Sequence, residues 1–572
     1  SGVDPTAYRR WLMDYDDSIV VSRGYNKHNI VAGNSANENL GAFLNAGTRI
    51  GSKLELYTTF GMSTRTGQAS GFSRNPNSMA QQPVRANGQR YYYDGFLPQI
   101  HSLINDYSAI GGLRFPVASD WDIDLSYTRG RNGFNFYVEN TGNASLPPTD
   151  DVQTKFNAGR IRFVQGTANL DVTKKFDLTG AHSINVAFGA EHRHEVYKIE
   201  AGEVNSYLNG NRTATFEQIP PYPGTNTYNT IAGTNAVPGA QVFPGFQPGD
   251  AVRASRDIQA GYVDIEYNMG TALIDGAVRY EKYNEKTADD YDNLSWKLAG
   301  RVDVNKNISV RGSVSTGFRA PSLHQRYFQN TSTQFVAGLP SQALTANNNN
   351  PIVRNAFGIE ALLPEKSKSA TVGIIGKISN NITFTVDAYF IHIDDRIVLS
   401  TQFNRSNPLV AGILNANSVD PSITAVQFWT NAVNTETRGI DLVITDRFRL
   451  GNGNAMLSLA ANFNRNNVVG PLQTNSVIDS DANNPSKTDP TKNPANDLAF
   501  ALFDRQQRSR IEVAQPKSKI NITGSYDLRK LSFLVRVVRF GETQFLNNVD
   551  PKSINTSNNT YWNDVGLGTD QT

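Results

Sequence analysis

The sequence predicts an all-β protein, and more narrowly a large antiparallel up-and-down transmembrane β-barrel, from three observations. Apolar and polar residues alternate along many segments, residues typical of strands and turns are abundant, and short connections alternate with long ones. Of the 572 residues 10% are aromatic, 46 are glycine and only 5 are methionine. Such a composition favours strands and turns over helix bundles.

Composition also excludes several classes of function. The 54 Lys and Arg residues nearly balance the 52 Asp and Glu residues, so the formal net charge of +2 gives no general positive field for a nucleic acid. No stretch approaches the ~18 consecutive apolar residues of a membrane-spanning helix. The chain has no cysteine, which excludes disulfides, thiolate metal sites and a cysteine nucleophile.

Alternation with a period of two is clear between residues 308 and 319. One parity carries Val310 and Val314, whereas the other carries Arg311 and Ser313, as in a strand with one apolar and one polar face. The same analysis predicts sixteen strands along the chain. They lie near 39–50, 53–67, 101–117, 121–141, 160–176, 182–202, 257–269, 272–285, 294–304, 308–320, 367–378, 382–399, 435–450, 454–469, 518–528 and 531–545.

The connections between these strands sort by length. Short turns such as 51–52, 305–307 and 451–453 alternate with long segments such as 203–256 and 321–366. This sorting predicts a bacterial outer-membrane barrel with turns on the periplasmic rim and long loops outside the cell. Because lipid leaves backbone groups unpaired, the sheet must close, with apolar side chains toward the bilayer and polar ones toward the lumen. The loops are rich in Asn, Gly, Pro and Ser, which predicts flexible surface without a core.

Aromatic residues in the long loops are the candidates for ligand binding, because flat rings stack on sugars and planar chelators. Packing between neighbouring loops is the alternative interpretation for each of them. The candidates are Tyr91, Tyr92, Tyr93, Tyr207, Tyr222, Tyr228, Phe243 and Phe246.

Other chemistry has little support in the sequence. His192 and His194 share one face of a strand while Glu191 and Glu195 point the other way, which favours a rim or lumen pair over a metal site. The acidic segment 289–292 lacks the spacing of a dedicated calcium loop. No GxSxG elbow or other nucleophile arrangement is present, so the sequence predicts neither an enzyme nor a catalytic residue, metal or cofactor.

Four segments resemble the TonB-dependent receptors, and they occur in the order typical of that family. They are GFRAPS (317–322), LLPEKSKSATVG (362–373), DAYFIHIDDRIVLS (387–400) and NTETRGIDLVI (434–444). The resemblance implies a 22-stranded barrel around an N-terminal plug. Nothing in the chain resembles the plug, the box gripped by the energy-coupling protein, or a closing strand that ends in an aromatic residue. We therefore expect residues 1–572 to be an incomplete barrel domain.

The resemblance also implies a function. Such a receptor binds a scarce nutrient at its extracellular loops and imports it across the outer membrane by TonB-dependent active transport. Its partners would be the lipid bilayer, its own plug, a TonB-type protein and the nutrient, with a surface lipoprotein as a further candidate. An iron chelate, cobalamin, an oligosaccharide or a peptide would all suit these loops. The alternatives are a surface adhesin or protein-translocating barrel, and a secreted glycan-binding or glycan-cleaving β-protein.

Polar-parity residues of the strands are the expected contacts of the lumen with the plug. Their mixed charge suits hydrogen bonds and ion pairs to a polar plug better than a lumen selective for one ion type. These residues are Lys297, Arg301, Asp303, Arg311, Arg319, Asp387, Lys519 and Asp527.

Overall fold

The computed structural model describes residues 35–74, 79–117, 120–214, 234–285, 290–336, 339–421, 423–489 and 497–544, with positions 21, 22, 31 and 546. Its strands are β1 (Ala36–Ile50), β2 (Leu54–Ser70), β3 (Gln99–Val117), β4 (Trp121–Glu139), β5 (Phe156–Asp177), β6 (Ser183–Glu200), β7 (Thr213–Ala214), β8 (Thr234–Asn235), β9 (Val252–Asn268), β10 (Ala272–Glu285), β11 (Tyr291–Asn305), β12 (Ile308–Arg319), β13 (Asn330–Val336), β14 (Leu339–Ala346), β15 (Glu365–Lys377), β16 (Ile382–Leu399), β17 (Phe403–Asn404), β18 (Ile423–Leu450), β19 (Gly453–Val469), β20 (Ser518–Leu528) and β21 (Leu531–Phe540).

Sixteen long strands pair antiparallel in sequence order, which confirms the predicted up-and-down sheet and all sixteen predicted strands. The short strands β13, β14 and β17 join the same sheet from the long loops, while β7 and β8 form a separate pair. In the described part of the chain, β1 pairs with β2 alone and β21 with β20 alone. The largest difference in bounds is at β18, which begins at Ile423 because β14 and β17 pair with its first residues.

Short helices occur only in the long connections of the described chain. They are α1 (Val204–Tyr207), α2 (Leu323–Tyr327), α3 (Pro408–Ala416), α4 (Pro485–Thr488), α5 (Leu498–Leu502) and α6 (Arg505–Glu512), with 3₁₀ turns at Met79–Gln81, Pro248–Asp250 and Asp481–Asn483 and a π turn at Ile352–Ala356. None of the described helices has the length and apolar character to cross a membrane.

The two faces of the sheet differ in the way that the alternation predicts. On the apolar face Leu294 is 64% exposed. On the polar face, side chains contact each other across an intervening strand. The Tyr57 hydroxyl donates to Asp124 at 2.6 Å across β3, and Arg311 donates to Asp387 at 2.6 and 2.9 Å across β15. Side chains converge in this way on the concave side of a curved sheet, so we assign the polar face to the inside of the barrel.

Two glycines permit these strand-crossing contacts. Gly112 lies on β3 beneath the Tyr57 ring, and Gly373 lies on β15 beneath the Asp387 carboxylate. A Cβ at either position would collide with the side chain above it. The absence of a side chain at these points therefore lets a neighbouring strand's side chain lie flat on the inner wall.

The prediction that the long loops lack a core is wrong for a large part of them. Residues from segments 344–359, 398–433 and 478–502 form one buried apolar cluster, which we call the loop core. At its centre Phe357, Phe403 and Phe428 are fully buried, and the Phe403 ring lies 4.6 Å from the Phe357 ring and 5.2 Å from the Phe428 ring. These loops are mainly polar in composition, but a small number of apolar residues from different loops pack together in the folded protein.

Candidate functional site at the long-loop end

Three of the predicted lumen residues form ion pairs at close range on the polar face. Lys297 lies 2.7 Å from Asp275 on the next strand. Arg311 holds the carboxylate of Asp387 with two hydrogen bonds, as described above. Arg319 likewise donates two hydrogen bonds to Glu365, one of them at 2.7 Å. Each cation has a carboxylate on a nearby strand, so these charges are largely compensated within the wall.

The other predicted lumen residues have more local partners. Arg301 lies 3.3 Å from Asp303, two positions along the same strand. The Lys519 ammonium lies 5.3 Å from the centre of the Phe540 ring on β21. Asp527 accepts a hydrogen bond from the Ser532 hydroxyl at 2.6 Å. Lys519 and Asp527 are exposed, which leaves these two charges accessible at the inner wall.

A buried charged network lies above these pairs, on the polar face of β6, β9 and β10. Arg256 is 7% exposed; it donates to Glu195 at 2.8 Å and to the Pro321 carbonyl at 2.6 Å. Glu285 is 4% exposed and accepts a hydrogen bond from the Tyr327 hydroxyl at 2.6 Å. Because a buried charge is costly without partners, these contacts hold segment 321–328 against the wall.

Aromatic packing completes this arrangement. The Phe246 ring lies 5.7 Å from the Phe136 ring on β4 and 6.1 Å from the Phe328 ring. His324 stacks on Phe328 at 4.5 Å and contacts the Tyr197 hydroxyl at 2.9 Å. Segment 321–328 and the described parts of the long loop, 201–214 and 234–251, thus cover the inner wall together. We call them the wall-bound assembly.

The tyrosines at 91–93 differ in their accessibility. The Tyr92 ring stacks on Phe96 at 4.5 Å and its hydroxyl donates to the Thr141 carbonyl at 2.9 Å; burial raises the pKa of this hydroxyl. Tyr93 is 48% exposed and lies 4.6 Å from the Arg90 guanidinium. Tyr91 is half-buried and lies 4.8 Å from the Arg85 guanidinium. Tyr92 therefore anchors the loop, while Tyr91 and Tyr93 remain accessible.

The remaining aromatic candidates fall into three groups. Phe243 and Phe246 are buried in the wall-bound assembly, where they pack against each other at 5.3 Å. Tyr207 is half-buried at the end of α1. Tyr222 and Tyr228 lie outside the described residues. The structure thus gives packing partners to Phe243 and Phe246, and it leaves ligand contact untested for all eight.

A cavity of about 440 Å³ opens beside the loop core, and the sequence analysis did not identify it. Neutral amide and hydroxyl groups dominate its polar lining. Asn431 donates to the carbonyls of Leu363 and Asp395 at 3.0 and 2.6 Å, and Gln473 donates to the Asp395 carboxylate at 3.0 Å. Thr474 and Ser476 are exposed at its edge. The amides fix the cavity's shape, and the hydroxyls at the edge can meet a ligand.

The histidine pair lies on the apolar face of β6, opposite Glu191 and Glu195 as predicted. His194 contacts Asp257 at 2.7 Å, while His192 lies 3.9 Å from the same carboxylate. Within the described residues no three His, Cys, Asp or Glu side chains are grouped to bind a metal. Both histidines are half-exposed at the outside of the wall.

The fold and its loop arrangement are those of a large up-and-down β-barrel with long loops at one end. Residues 51–570 match the family described as "TonB dependent receptor-like, beta-barrel". Because this match covers most of the chain, the protein belongs to the TonB-dependent receptors, in agreement with the resemblance of its sequence motifs.

Individual relatives share less of the sequence. The vitamin B12 transporter BtuB of Vibrio vulnificus (strain CMCP6) is 28% identical over 147 residues, which are 25% of this chain and 18% of that protein. A structure of the RagAB peptide transporter shares the fold with a TM-score of 0.52 at 10% identity, covering 88% of this chain and 58% of that one. The RagAB importer in its "closed-closed" state gives a TM-score of 0.51 at 11% identity, with coverages of 89% and 58%. The chain thus spans only part of these relatives' length.

Proposed function

We propose that this chain forms the barrel of an outer-membrane receptor that binds a scarce nutrient at its long-loop end. The nutrient then passes through the lumen without chemical change, driven by a TonB-type energy-coupling protein. Membership of the TonB-dependent receptors supports the outer membrane as location, and the relatives that are named as transporters support import. Energy from the coupling protein is needed because a receptor that binds its nutrient tightly otherwise releases it slowly.

The observation that carries this proposal is the cavity beside the loop core. It lies among three long loops that are held together by their own apolar residues, so its shape is established before a ligand arrives. Thr474 and Ser476 provide hydroxyl donors and acceptors for a ligand rich in hydrogen-bonding groups, while Asn431 and Gln473 hold the shape of the cavity. Such a preformed pocket with a few polar groups is typical of small-molecule sites. It fits nutrient binding better than adhesion through a broad surface.

Aromatic side chains are the second part of the proposed binding surface. Tyr91, Tyr93 and Tyr207 are accessible and stack on flat parts of the ligand. Tyr222 and Tyr228 belong to the same proposal through their place in the long loop 203–256. Phe243 and Phe246 act through packing, because their rings are buried among loop residues.

The polar face supplies the proposed contacts with the plug, which the rest of the receptor provides. Lys519 and Asp527 are exposed on that face and form direct contacts. Lys297, Arg301, Asp303, Arg311, Arg319 and Asp387 present ion pairs that a polar plug surface meets through hydrogen bonds. A surface lipoprotein is a further proposed partner at the long-loop end.

An uptake assay tests the proposal. Cells that express the full-length receptor receive labelled cyanocobalamin, a ferric catecholate, a maltooligosaccharide and a peptide mixture in parallel. We expect uptake of one class, its loss with a protonophore, and a strong reduction in Thr474→Trp, which fills the cavity edge. The control Thr149→Trp changes an exposed loop residue elsewhere and leaves uptake unchanged. Uptake of no class, or uptake that survives the protonophore, contradicts the proposal, as does a large ohmic conductance of the intact receptor.

A further inference from the structure

The apolar face of β4, β5, β6 and β9 changes character toward the long-loop end. Near the short turns it carries Leu125, Leu170, Phe188 and Val263, which are between 37% and 42% exposed. Near the long loops the same face carries basic side chains, which we call the cation cluster. These are Arg131, Arg160, Arg162, Lys198 and Arg253.

The register of the sheet places three of these cations in one row. Arg162 on β5 lies directly opposite Lys198 on β6, and Lys198 lies directly opposite Arg253 on β9. Arg131 flanks the row from β4, since it lies opposite Val164, two residues along β5 from Arg162. Like charges in directly opposed positions destabilise a sheet. The row is therefore an unfavourable arrangement unless an anion lies over it.

Counter-charges within the protein are too few to neutralise the cluster. Glu200 contacts both Arg160 and Lys198, the latter at 2.6 Å. Arg131, Arg162 and Arg253 form no ion pair with any residue that the structure describes. With Arg129, two residues from Arg131, and Asp257, beside His194, six cations and two carboxylates leave a net charge of +4 on this patch of the outer wall.

The height of the cluster on the wall matches the surface of a membrane. Trp121 begins β4 next to the short turn, and Arg131 follows ten residues later. At about 3.3 Å per residue and a tilt of about 40°, that separation rises about 25 Å, which is the height of the apolar band of such barrels. Arg131 thus lies at the outer edge of the band, and the row of Arg162, Lys198 and Arg253 lies just beyond it.

Another part of the same face shows that the cluster is local. On β11 the apolar face still carries Trp296 and Leu294, which lie eight and ten residues from Val304 at the short-turn end. Ten residues from the short-turn end of β4, the same face carries Arg131. Cations occur elsewhere on this face near the long loops, but Lys368 on β15 lies 3.6 Å from Asp394 and Arg438 on β18 lies 2.9 Å from Glu436. The unbalanced positive charge on four adjacent strands is therefore what requires a specific explanation.

We propose that the cation cluster binds the phosphate groups of a phosphorylated lipid headgroup in the outer leaflet. Arginine fits phosphate oxygens with paired, charge-assisted hydrogen bonds, and the lipid's acyl chains would lie on the apolar residues below. The proposal rests on the membrane location given under the proposed function. It is independent of the nutrient and of energy coupling.

Lipid retention by the full-length receptor tests this site. The purified receptor in detergent micelles is mixed with lipid A carrying two phosphates, and bound lipid is measured by native mass spectrometry. The double variant Arg162→Gln/Arg253→Gln removes two cations of the row. We expect about tenfold weaker retention or more, because each lost charge-assisted contact weakens binding by roughly that order. The matched control Lys366→Gln/Lys368→Gln removes two cations on the same face of β15 and keeps wild-type retention.

Two further probes identify the ligand chemistry. Dephosphorylated lipid A should bind the wild type and the Arg162→Gln/Arg253→Gln variant equally weakly, and wild-type retention of the phosphorylated lipid should fall with rising salt. Equal retention by both double variants would overturn the proposal. Full displacement of the lipid by inorganic phosphate at equal concentration would also overturn it, in favour of a free-phosphate site. Nutrient uptake is measured in a separate assay. Either proposal, nutrient import or lipid binding, can therefore be contradicted while the other is supported.

Discussion

The wall-bound assembly and the loop core lie at the same end of the barrel but are stabilised by different forces. In the wall-bound assembly, buried charges fix a loop segment to the inner wall, as Arg256 does through Glu195 and the Pro321 carbonyl. In the loop core, rings from separate loops pack on one another, as Phe357 and Phe403 do.

This difference teaches how a polar lumen and polar loops can still produce ordered structure. A loop that folds onto the lumen wall covers charged residues, so each of them needs a partner at close range. Loops that pack mainly on one another must provide apolar area instead. The first kind of loop depends on the wall beneath it, and the second is a unit of its own. Mutations should therefore separate the two.

The largest expected effect is loss of the loop core on truncation of its central ring. Phe403→Ala removes a fully buried ring and should cost about 4 kcal/mol of local stability, the middle of the range for such changes. Protease added to intact cells should then cut within 400–434, while the wall-bound assembly stays protected. Phe463→Ala, at a ring that is 48% exposed on the apolar face, is the control. Unchanged protection in Phe403→Ala would show that the ring is not central.

A buried charge should give the next largest effect, and in the other assembly. Arg256→Gln removes the closer of the two cations beside the buried Glu195 carboxylate and leaves Arg193 at 3.4 Å, which should cost about 2 kcal/mol. Hydrogen exchange of the amides in segment 321–328 should become faster, with exchange in the loop core unchanged. If both assemblies exchange faster together, they form one cooperative unit and the comparison fails.

The same substitution lower on the wall should have a much smaller effect. Arg311→Gln removes an ion pair with Asp387 whose arginine side chain is 45% exposed, so the expected cost is less than about 1 kcal/mol. Amide exchange in β12 and β16 measures it. A cost as large as that of Arg256→Gln would mean that burial by the loop segment is not what distinguishes the two arginines.

The smallest expected effect is a pH dependence at the edge of the loop core, where the Asp504 amide donates to the Thr401 hydroxyl at 3.1 Å. Asp504 is 2% exposed, one of its oxygens has no hydrogen-bond partner, and burial raises its pKa. The folded state therefore holds the proton more tightly than the unfolded state. The charged carboxylate lowers stability at neutral pH, and this cost fades as the pH falls through the raised pKa toward about 3.9.

Asp504→Asn keeps an acceptor for the Gln507 amide and the preferred chemistry at the start of α6. It should remove this pH dependence and slightly raise loop-core stability at pH 7, as measured by amide exchange between pH 4 and 7. Asp250→Asn is the matched change in the wall-bound assembly, where burial also raises the carboxyl pKa. Greater pH dependence in Asp504→Asn than in the wild type would contradict this account.

The strands could be predicted from the sequence because their signal is local. Val310 and Arg311 are neighbours in the chain, and their side chains point to opposite faces of the strand. The alternation of apolar and polar residues therefore identifies the strand and assigns both of its faces. The same rule correctly separates His192 and His194 from Glu191 and Glu195. The short turns then give the order of the sheet, since consecutive strands need only a few residues to pair antiparallel.

The loop contacts could not be predicted in this way because their partners are distant in sequence. Phe403 and Phe428 stand in segments without periodicity, and their burial depends on residues of other loops. Phe243 and Phe246 were interpreted as ligand candidates for the same reason. Parity assigns Glu195 to the polar face, whereas Arg256 falls in the predicted long segment 203–256, just before the predicted strand 257–269. Only segment 321–328 decides that the two residues are buried. Aligning the charges of adjacent strands would have found this network.

The strictly sequential pairing of the long strands has a consequence for the order of folding. Each strand pairs with its neighbour in the chain, so the sheet can grow one hairpin at a time at a low entropic cost per step. The loop core has no such route, because contacts such as that of Asn475 with the Phe357 carbonyl join residues 118 positions apart. We expect the long strands β15, β16, β18 and β19 to assemble first, so that the loop core forms late, once the wall has brought its loops together.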